Sequence, residues 1–227
     1  MKFALRVLCL IAVGLTGCSD EASERRAFID FLQDHIVSRP GVHLMLMDEE
    51  LAKSFGRYAS HYQIILDFNS NLNLTPFERA AHLKNEISDL NDFAAHRGEL
   101  RALEQALPEM IAVVDKKLET ANAAHAALQQ PPDLKEVYDK AFDRLVTRPG
   151  TLMQKMLALL PSSLDAMIAV GDYVAANAGV VRIVGMEGAS DDPVVERHMR
   201  ELVVAMHKND AVAAELKREF QALLNGT

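Results

Sequence analysis

Two long stripes of apolar residues constrain the fold of this chain more than any other feature of its sequence. Their members recur at alternating spacings of mostly four and three residues, which places each stripe on one face of an α-helix. Such stripes suit an antiparallel bundle with coiled-coil-like packing. Asn209, in the second stripe, either fixes the register of that helix against its neighbour or marks a point where the stripe is exposed. The stripes comprise Leu100, Leu103, Leu107, Ile111, Val114, Leu118, Ala121, His125 and Leu128, and then Val195, Met199, Leu202, Met206, Asn209, Ala213, Leu216, Phe220 and Leu223.

Helix-start signals recur along the same chain. Thr75 is followed by proline at the first helical position and by glutamate three residues after the cap, and Asp133 opens a similar capping box after two prolines. No segment shows a convincing alternating strand pattern. The sequence therefore predicts an all-α fold, an elongated antiparallel helical bundle. Further candidate caps are Asp48, Thr151, Ser162 and Asp192.

The helix boundaries follow from these signals and from the breakers between them. The longest helix should kink or break near Gly98 or Pro108, because proline removes a backbone donor and glycine weakens a helix. The predicted helices cover about residues 23–39, 48–71, 76–129, 133–148, 151–160, 163–184 and 193–224.

The N-terminal segment has the features of an export signal. Lys2 and Arg6 supply positive charge, and residues 7–17 form an apolar run of about a dozen residues, shorter than the roughly 20 that a membrane-spanning helix needs. On the residues alone, the segment is an ordinary secretory signal or an uncleaved anchor with Cys18 incidental, or it is a lipoprotein signal.

The end of this run resembles the lipobox of bacterial lipoproteins. Leu15, Thr16, Gly17 and Cys18 are the matching residues. The resemblance implies that Cys18 is lipidated and that the chain is cut before it. Two or more acyl chains would then attach the protein durably to a membrane. The resemblance also implies the periplasmic face of the outer membrane, because Ser19 rather than aspartate follows the cysteine.

These features divide the chain into a signal peptide (1–17), a short lipid-anchored tether (18–22) and a single helical domain (23–227). The tether spans at most roughly 17 Å when extended. The folded body should therefore lie near the membrane surface, which favours a partner in or at the same membrane.

Charge and cysteine content exclude several classes of protein. The net charge is −8, which argues against nucleic acid and against broad adhesion to anionic lipid. The two cysteines are Cys9, inside the signal, and Cys18. A lipidated mature chain would hold no free thiol, no disulfide and no cysteine metal site.

The segment HLMLMDE (43–49) is the most suggestive constellation for a metal. His43, Met45 and Met47 would offer an imidazole and two thioethers, ligands that suit Cu(I). The alternative is that the methionines fill apolar gaps and that the segment serves hydrophobic docking. That alternative is preferred, so no metal is predicted. The sequence has no GxSxG, P-loop, dinucleotide or HExxH motif, and hence we predict no catalytic residue and no cofactor.

Several segments resemble the YiaF-like family of bacterial lipoproteins, a domain of unknown function. They are RRAFIDFLQ (25–33), FGRYASHY (55–62), AAHAALQQPPDLKEVYDKAF (123–142) and VGDYVA (170–175). The resemblance implies a helical, envelope-anchored protein and carries no activity. Apolar and aromatic residues in these segments recur at helical spacing on the first, second and fourth predicted helices and are interpreted as core: Phe28, Phe31, Leu32, Phe55, Tyr58, Tyr62, Tyr138 and Phe142. Tyr62, Asp172 and Tyr173 are the places to look for a polar site.

The leading hypothesis is a non-enzymatic envelope lipoprotein that acts as an interaction or assembly module. Its partners would be the membrane, through the lipid anchor, and an envelope protein; nucleic acid is excluded. The alternative is a carrier or sensor of an apolar ligand bound within the bundle. An open apolar cavity would favour the carrier, whereas a filled core with an exposed apolar patch would favour the interaction module.

Overall fold

The computed structural model describes residues 17–70 and 75–227 and is predominantly helical, with one short antiparallel hairpin. Single π-helical turns at Gln33–Val37 and Asp143–Thr147 prolong α1 and join α7 to α8, and a 3₁₀ turn at Gly56–Tyr58 joins α2 to α3. The elements are α1 (Gly17–Leu32), α2 (Glu49–Phe55), α3 (Ala59–Asn69), α4 (Thr75–Glu86), α5 (Leu90–Ala95), α6 (Arg97–Ala127), α7 (Pro132–Phe142), α8 (Arg148–Ala176), β1 (Arg182–Val184), β2 (Glu187–Ala189), α9 (Pro193–His207) and α10 (Asp210–Asn225).

An aromatic cluster forms the core around α1, α3 and α7. Phe28 of α1 is fully buried, with its ring centroid 4.9 Å from that of Phe55 and 6.2 Å from that of Tyr138. The buried phenols need polar partners, and they have them: the Tyr138 hydroxyl donates to the His61 carbonyl at 2.7 Å. The side chains in this cluster explain the helical spacing of aromatic residues in the first, second and fourth predicted helices.

A second, aliphatic cluster lies between α5, the first half of α6, α8 and α9. Its buried members include Leu100, Leu107, Leu157 and Met199. The helix α6 contributes to both clusters, because Leu118 belongs to the aromatic one. The first apolar stripe is confirmed as a core face, with Met110 more buried than the predicted Ile111.

The predicted helix 76–129 is wrong as one element, because it comprises α4, α5 and α6. The chain breaks before Asp89, whose carboxylate accepts from the backbone N–H groups of Asn91 and Asp92 and so caps α5. The second break, at His96, lies beside the predicted position Gly98. Pro108 does not break the helix and lies inside α6.

The predicted helices 151–160 and 163–184 are also wrong, because one helix, α8, runs through Pro161 and ends at Ala176. Thr151 and Ser162 are therefore inside a helix and do not cap one. Residues 182–189 form the hairpin that the sequence analysis missed. Its two-residue turn begins at Gly185, whose φ of 59° suits glycine.

The last predicted helix is divided into α9 and α10 at Lys208 and Asn209. The Asn209 amide donates to the hydroxyls of Ser162 and Ser163 at 2.9 and 3.1 Å. Asn209 thus joins the chain at the helix break to α8. Of the second stripe, Met199, Met206 and Leu216 are buried.

The first helix begins at Gly17, six residues earlier than predicted, so that residues 18–22 are helical. The division into a signal peptide (1–17), a tether (18–22) and a helical domain (23–227) stays a prediction. Among the described residues, one continuous helical stretch, Pro132–Ala176, is long and apolar enough to cross a membrane by length and composition. Its α8 part packs against α5, α6, α9 and α10. A buried core helix meets the same criterion.

Candidate functional site beside the start of the first helix

An open cleft of about 410 Å³ lies beside the start of α1. It is formed where α1, the 3₁₀ turn and the connection between α6 and α7 meet. Two of the segments that carry the family resemblance, 55–62 and 123–142, contribute to its walls. The lining residues are Glu21, Arg57, Tyr58, His61, Gln129, Gln130 and Pro131.

Gly56 allows α1 to approach the 3₁₀ turn closely. Its φ of 52° lies in the region that favours glycine. A Cβ atom at this position would lie 1.9 Å from the Glu24 Cδ atom. The Glu24 carboxylate accepts a hydrogen bond from the Arg57 backbone N–H at 3.2 Å. This contact places Arg57 and Tyr58 against the first two turns of α1.

Tyr58 fixes one wall of the cleft. Its hydroxyl donates to the Glu21 carboxylate, and only 3% of its surface is exposed. Burial, and then the hydrogen bond to Glu21, raise the pKa of Tyr58 to about 12. The phenol therefore remains protonated near neutral pH and holds the Glu21 carboxylate at the rim.

His61 also lines the cleft, and its ring is neutral near neutral pH. The Gln130 amide nitrogen lies 2.9 Å from His61 Nδ1, and burial lowers the pKa of His61 below its ordinary value. With the amide donating to Nδ1, the neutral ring carries its proton on Nε2. Tyr138 holds the backbone of the same residue by donating to its carbonyl. His61 is thus a fixed hydrogen-bond donor.

Arg25 connects α1 to the start of α7 at the edge of the cleft. Its guanidinium lies 3.5 Å from the Asp133 carboxylate and 4.0 Å from that of Glu21. All three side chains are partly exposed, so each pair contributes at most about 1 kcal/mol to stability. Around the cleft, the arginines Arg25 and Arg57 face three carboxylates, so negative charge is in slight excess. The carboxylates are those of Glu21, Glu24 and Asp133.

A second open cleft, of about 540 Å³, lies between α8 and α10. Its cations are already engaged. Arg144 donates to the carbonyls of Ile36 and Val37 at 2.7 and 3.1 Å, and Lys155 pairs with Glu219 at 3.8 Å. Arg148, the third cation of this cleft, pairs with Asp143 at 2.6 Å, so each of its cations has a partner.

The predicted lipidation site lies at the edge of the described chain. Leu15 and Thr16 fall outside the described residues, and Gly17 and Cys18 begin α1. Lipidation of Cys18 stays a prediction.

The segment with the candidate soft ligands is a loop between α2 and the π-helical turn that follows α1. His43 is exposed, Met47 packs against the aromatic cluster, and the Met45 carbonyl accepts from the Tyr62 hydroxyl at 2.7 Å. Within residues 17–70 and 75–227, no three His, Cys, Asp or Glu side chains are grouped to hold a metal ion. That His43, Met45 and Met47 do not form a metal site stays a prediction.

The structure does not bring Tyr62, Asp172 and Tyr173 together as one polar site. Tyr62 is fully buried in the aromatic cluster. Asp172 accepts from Arg101 at 2.7 and 2.9 Å, and the ring of Tyr173 packs against His198 in the aliphatic half of the molecule. The three residues have separate structural roles.

Sequence reasoning missed the side chains that line the first cleft. Arg57, Tyr58 and His61 lie in a segment that was interpreted as core, and Gln129 and Gln130 precede a helix start. The available signal was polar residues interleaved with the aromatic spacing of FGRYASHY. Their convergence with Glu21 depends on the close approach at Gly56 and could not be seen in the sequence.

Comparisons with known proteins identify the family. A family model described as a protein of unknown function (DUF3053) matches residues 6–220. The chain is 32% identical over 177 residues to uncharacterized protein YiaF of Escherichia coli K12, covering 76% of this chain and 75% of the relative, and the same values hold for YiaF of Escherichia coli O157:H7 and of Shigella flexneri. No solved structure matches the chain. The chain therefore belongs to the DUF3053 family of proteins of unknown function and is similar to YiaF.

Proposed function

We propose that this protein is a lipid-anchored component of the bacterial cell envelope that acts as an interaction or assembly module and has no catalytic activity of its own. Cys18 carries the lipid, the protein faces the periplasm, and the membrane is the outer one. The helices form an elongated antiparallel bundle, which holds a recognition surface close to the bilayer.

The observation that carries this proposal is the start of α1 at Gly17. A lipidated Cys18 would then belong to the first turn of a helix that is built into the aromatic cluster, with no flexible linker between lipid and fold. The folded body would rest on the membrane surface. Such a geometry suits a partner in or at the same membrane and gives little reach to one deep in the periplasm.

The packing of the described residues favours a module over a carrier. Both clefts found in the described part of the chain are open to solvent, whereas a carrier of an apolar ligand needs an enclosed apolar chamber. The loop before α2 exposes apolar side chains instead, with Leu44, Met45 and Leu46 exposed by 37, 37 and 83%. An exposed apolar segment of this kind suits contact with another protein.

The anchor is tested by Cys18→Ser in intact cells. We expect the variant to escape lipid-dependent processing and to leave the membrane fraction, while the wild-type protein stays in the outer-membrane fraction. Unchanged processing and membrane attachment would refute the proposed anchor.

The module is tested by a photo-crosslinking amino acid placed at Leu46 in cells. The matched control is Val204, an apolar residue of α9 that is 66% exposed. We expect one envelope protein to be crosslinked in high yield at Leu46 and not at Val204. If neither position yields a protein, and a lipid or small molecule co-purifies with the chain, the carrier replaces the module as the function.

A further inference from the structure

We infer that the cleft beside the start of α1 binds the head group of a zwitterionic phospholipid, one that carries both a phosphate and an ammonium group. This inference rests on the proposed anchor at Cys18, which would bring the cleft to the bilayer. The inference adds a ligand class to the proposed function: the protein would bind a lipid of the membrane to which it is anchored.

The cleft lies close to the proposed lipidation site along α1. Glu21, at the rim of the cleft, follows Cys18 by three residues of the same helix. At 1.5 Å per residue this separation is about 5 Å along the helix axis. Acyl chains attached at Cys18 would therefore hold the cleft at the depth of the lipid head groups.

The charges of the cleft match those of such a head group. Arg57 is exposed and lines the cleft, and no carboxylate in the described part of the chain forms an ion pair with its guanidinium. Guanidinium binds phosphate through two parallel hydrogen bonds, and is the side chain best suited to this task. Glu21, held by the Tyr58 hydroxyl, supplies the negative charge for an ammonium group.

Neutral groups complete the recognition. His61 offers a donor from Nε2, because Gln130 occupies its other ring nitrogen. Gln129 adds an exposed amide. The volume of about 410 Å³ is within the range of small-ligand sites, roughly 300–1,000 Å³.

The balance of charge selects the lipid class. A head group with a net negative charge would add to the excess of carboxylates around the cleft, in a chain whose net charge is already −8. A zwitterion satisfies both Arg57 and Glu21. We therefore expect phosphatidylethanolamine to bind in preference to phosphatidylglycerol.

The test uses the full lipidated protein in detergent, titrated with short-chain phosphatidylethanolamine, short-chain phosphatidylglycerol or inorganic phosphate, with bound molecules counted by native mass spectrometry. The NMR signals of the His61 ring report whether the ligand enters this cleft. The variants are Arg57→Gln and Glu21→Gln, and the matched control is Arg26→Gln, an exposed arginine on α1 that does not line the cleft.

We expect one phosphatidylethanolamine per chain, a shift of the His61 signals, and at least a tenfold weaker affinity in Arg57→Gln with no change in Arg26→Gln. Glu21→Gln should narrow or reverse the preference over phosphatidylglycerol. Equal binding of the two lipids by the wild type, binding of inorganic phosphate alone, no binding, or equal effects of Arg57→Gln and Arg26→Gln would each overturn the inference.

Repeating the titration with Cys18→Ser separates this inference from the anchor. Binding that survives in the unlipidated variant supports the cleft even if the fractionation test refutes the anchor. If Arg57→Gln does not weaken phosphatidylethanolamine binding by the lipidated protein, the cleft is not the binding site, even if the anchor is correct.

Discussion

Gly56→Ala tests the close approach that builds the candidate cleft. Gly56 has φ 52° and ψ −121°, a backbone conformation that residues with a Cβ atom rarely adopt. The new Cβ atom would also overlap the Glu24 carboxyl group, at 1.9 Å from Cδ and 2.1 and 2.4 Å from its oxygens. Two separate costs therefore arise from one substitution.

The backbone cost should dominate. Holding a residue other than glycine in a sparsely populated region costs about 1–3 kcal/mol. The overlap is cheaper to relieve, because a glutamate carboxylate lies at the end of a flexible side chain and can swing away. Its movement would break the hydrogen bond from the Arg57 backbone N–H, which contributes about 1 kcal/mol. We expect Gly56→Ala to lower the free energy of unfolding by about 2–4 kcal/mol.

The assay is urea unfolding followed by circular dichroism, with Gly98→Ala as the matched control. Gly98 lies in α6, and a Cβ atom there would meet nothing within 4 Å, so alanine should stabilise by about 0.5–1 kcal/mol. In Gly56→Ala combined with Glu24→Ala, most of the loss should remain. If the double variant regains wild-type stability, the overlap and not the backbone is the cause; if Gly56→Ala alone is as stable as the wild type, the reasoning is wrong.

Two further predictions concern α8 and the cleft histidine. Gly171→Ala should lower the free energy of unfolding by up to about 2 kcal/mol in urea titrations, because the new Cβ atom would lie 2.5 Å from the Phe93 carbonyl oxygen. This overlap with backbone outweighs the roughly 1 kcal/mol that alanine gains in helix propensity. A gain in stability would contradict the prediction. Burial lowers the pKa of His61, so its contribution to stability is complete above its unfolded pKa of about 6.5 and is lost as pH falls through the lower folded value. Unfolding measured from pH 8 to 5 should show a smaller acid loss in His61→Gln than in the wild type, and equal losses would refute this assignment.

Of the predicted caps, Asp48 and Asp192 are confirmed, whereas Asp133 does not cap α7, which begins at Pro132 with no side-chain cap. The Asp48 carboxylate accepts from the Leu51 N–H at 2.8 Å, and Asp192 accepts from the N–H groups of Val194 and Val195. A cap acts within one turn, so its residues are adjacent in the sequence and visible there. The same locality made the break at Asp89 detectable in principle, through Ser88, Asp89 and Asp92.

Prolines were the least reliable signals for helix boundaries. The free energy that a proline costs a helix is local, whereas the packing that offsets it comes from other parts of the chain. Proline inside a helix costs about 3 kcal/mol, yet Pro108 and Pro161 both lie within helices. The α6 residues around Pro108 include the buried Leu107 and Met110, and α8 near Pro161 contains the buried Leu157 and Leu164. Burying one leucine contributes about 1.5–3 kcal/mol, so a few such contacts exceed the proline cost. That sum depends on neighbouring helices and cannot be read from the segment alone.

The candidate cleft shows the same limit at the level of function. Every residue that lines it was visible, but the aromatic spacing of residues 55–62 indicated only a core face, and that interpretation is correct for Tyr58 and Tyr62. The polar residues between them line one cleft because Gly56 allows α1 to pack closely against the 3₁₀ turn and because Pro131 lies in the connection that follows α6. Both are backbone events that join segments more than 30 residues apart. A sequence therefore reveals the side chains that a site could use, whereas the close contacts of its backbone decide which of them form one.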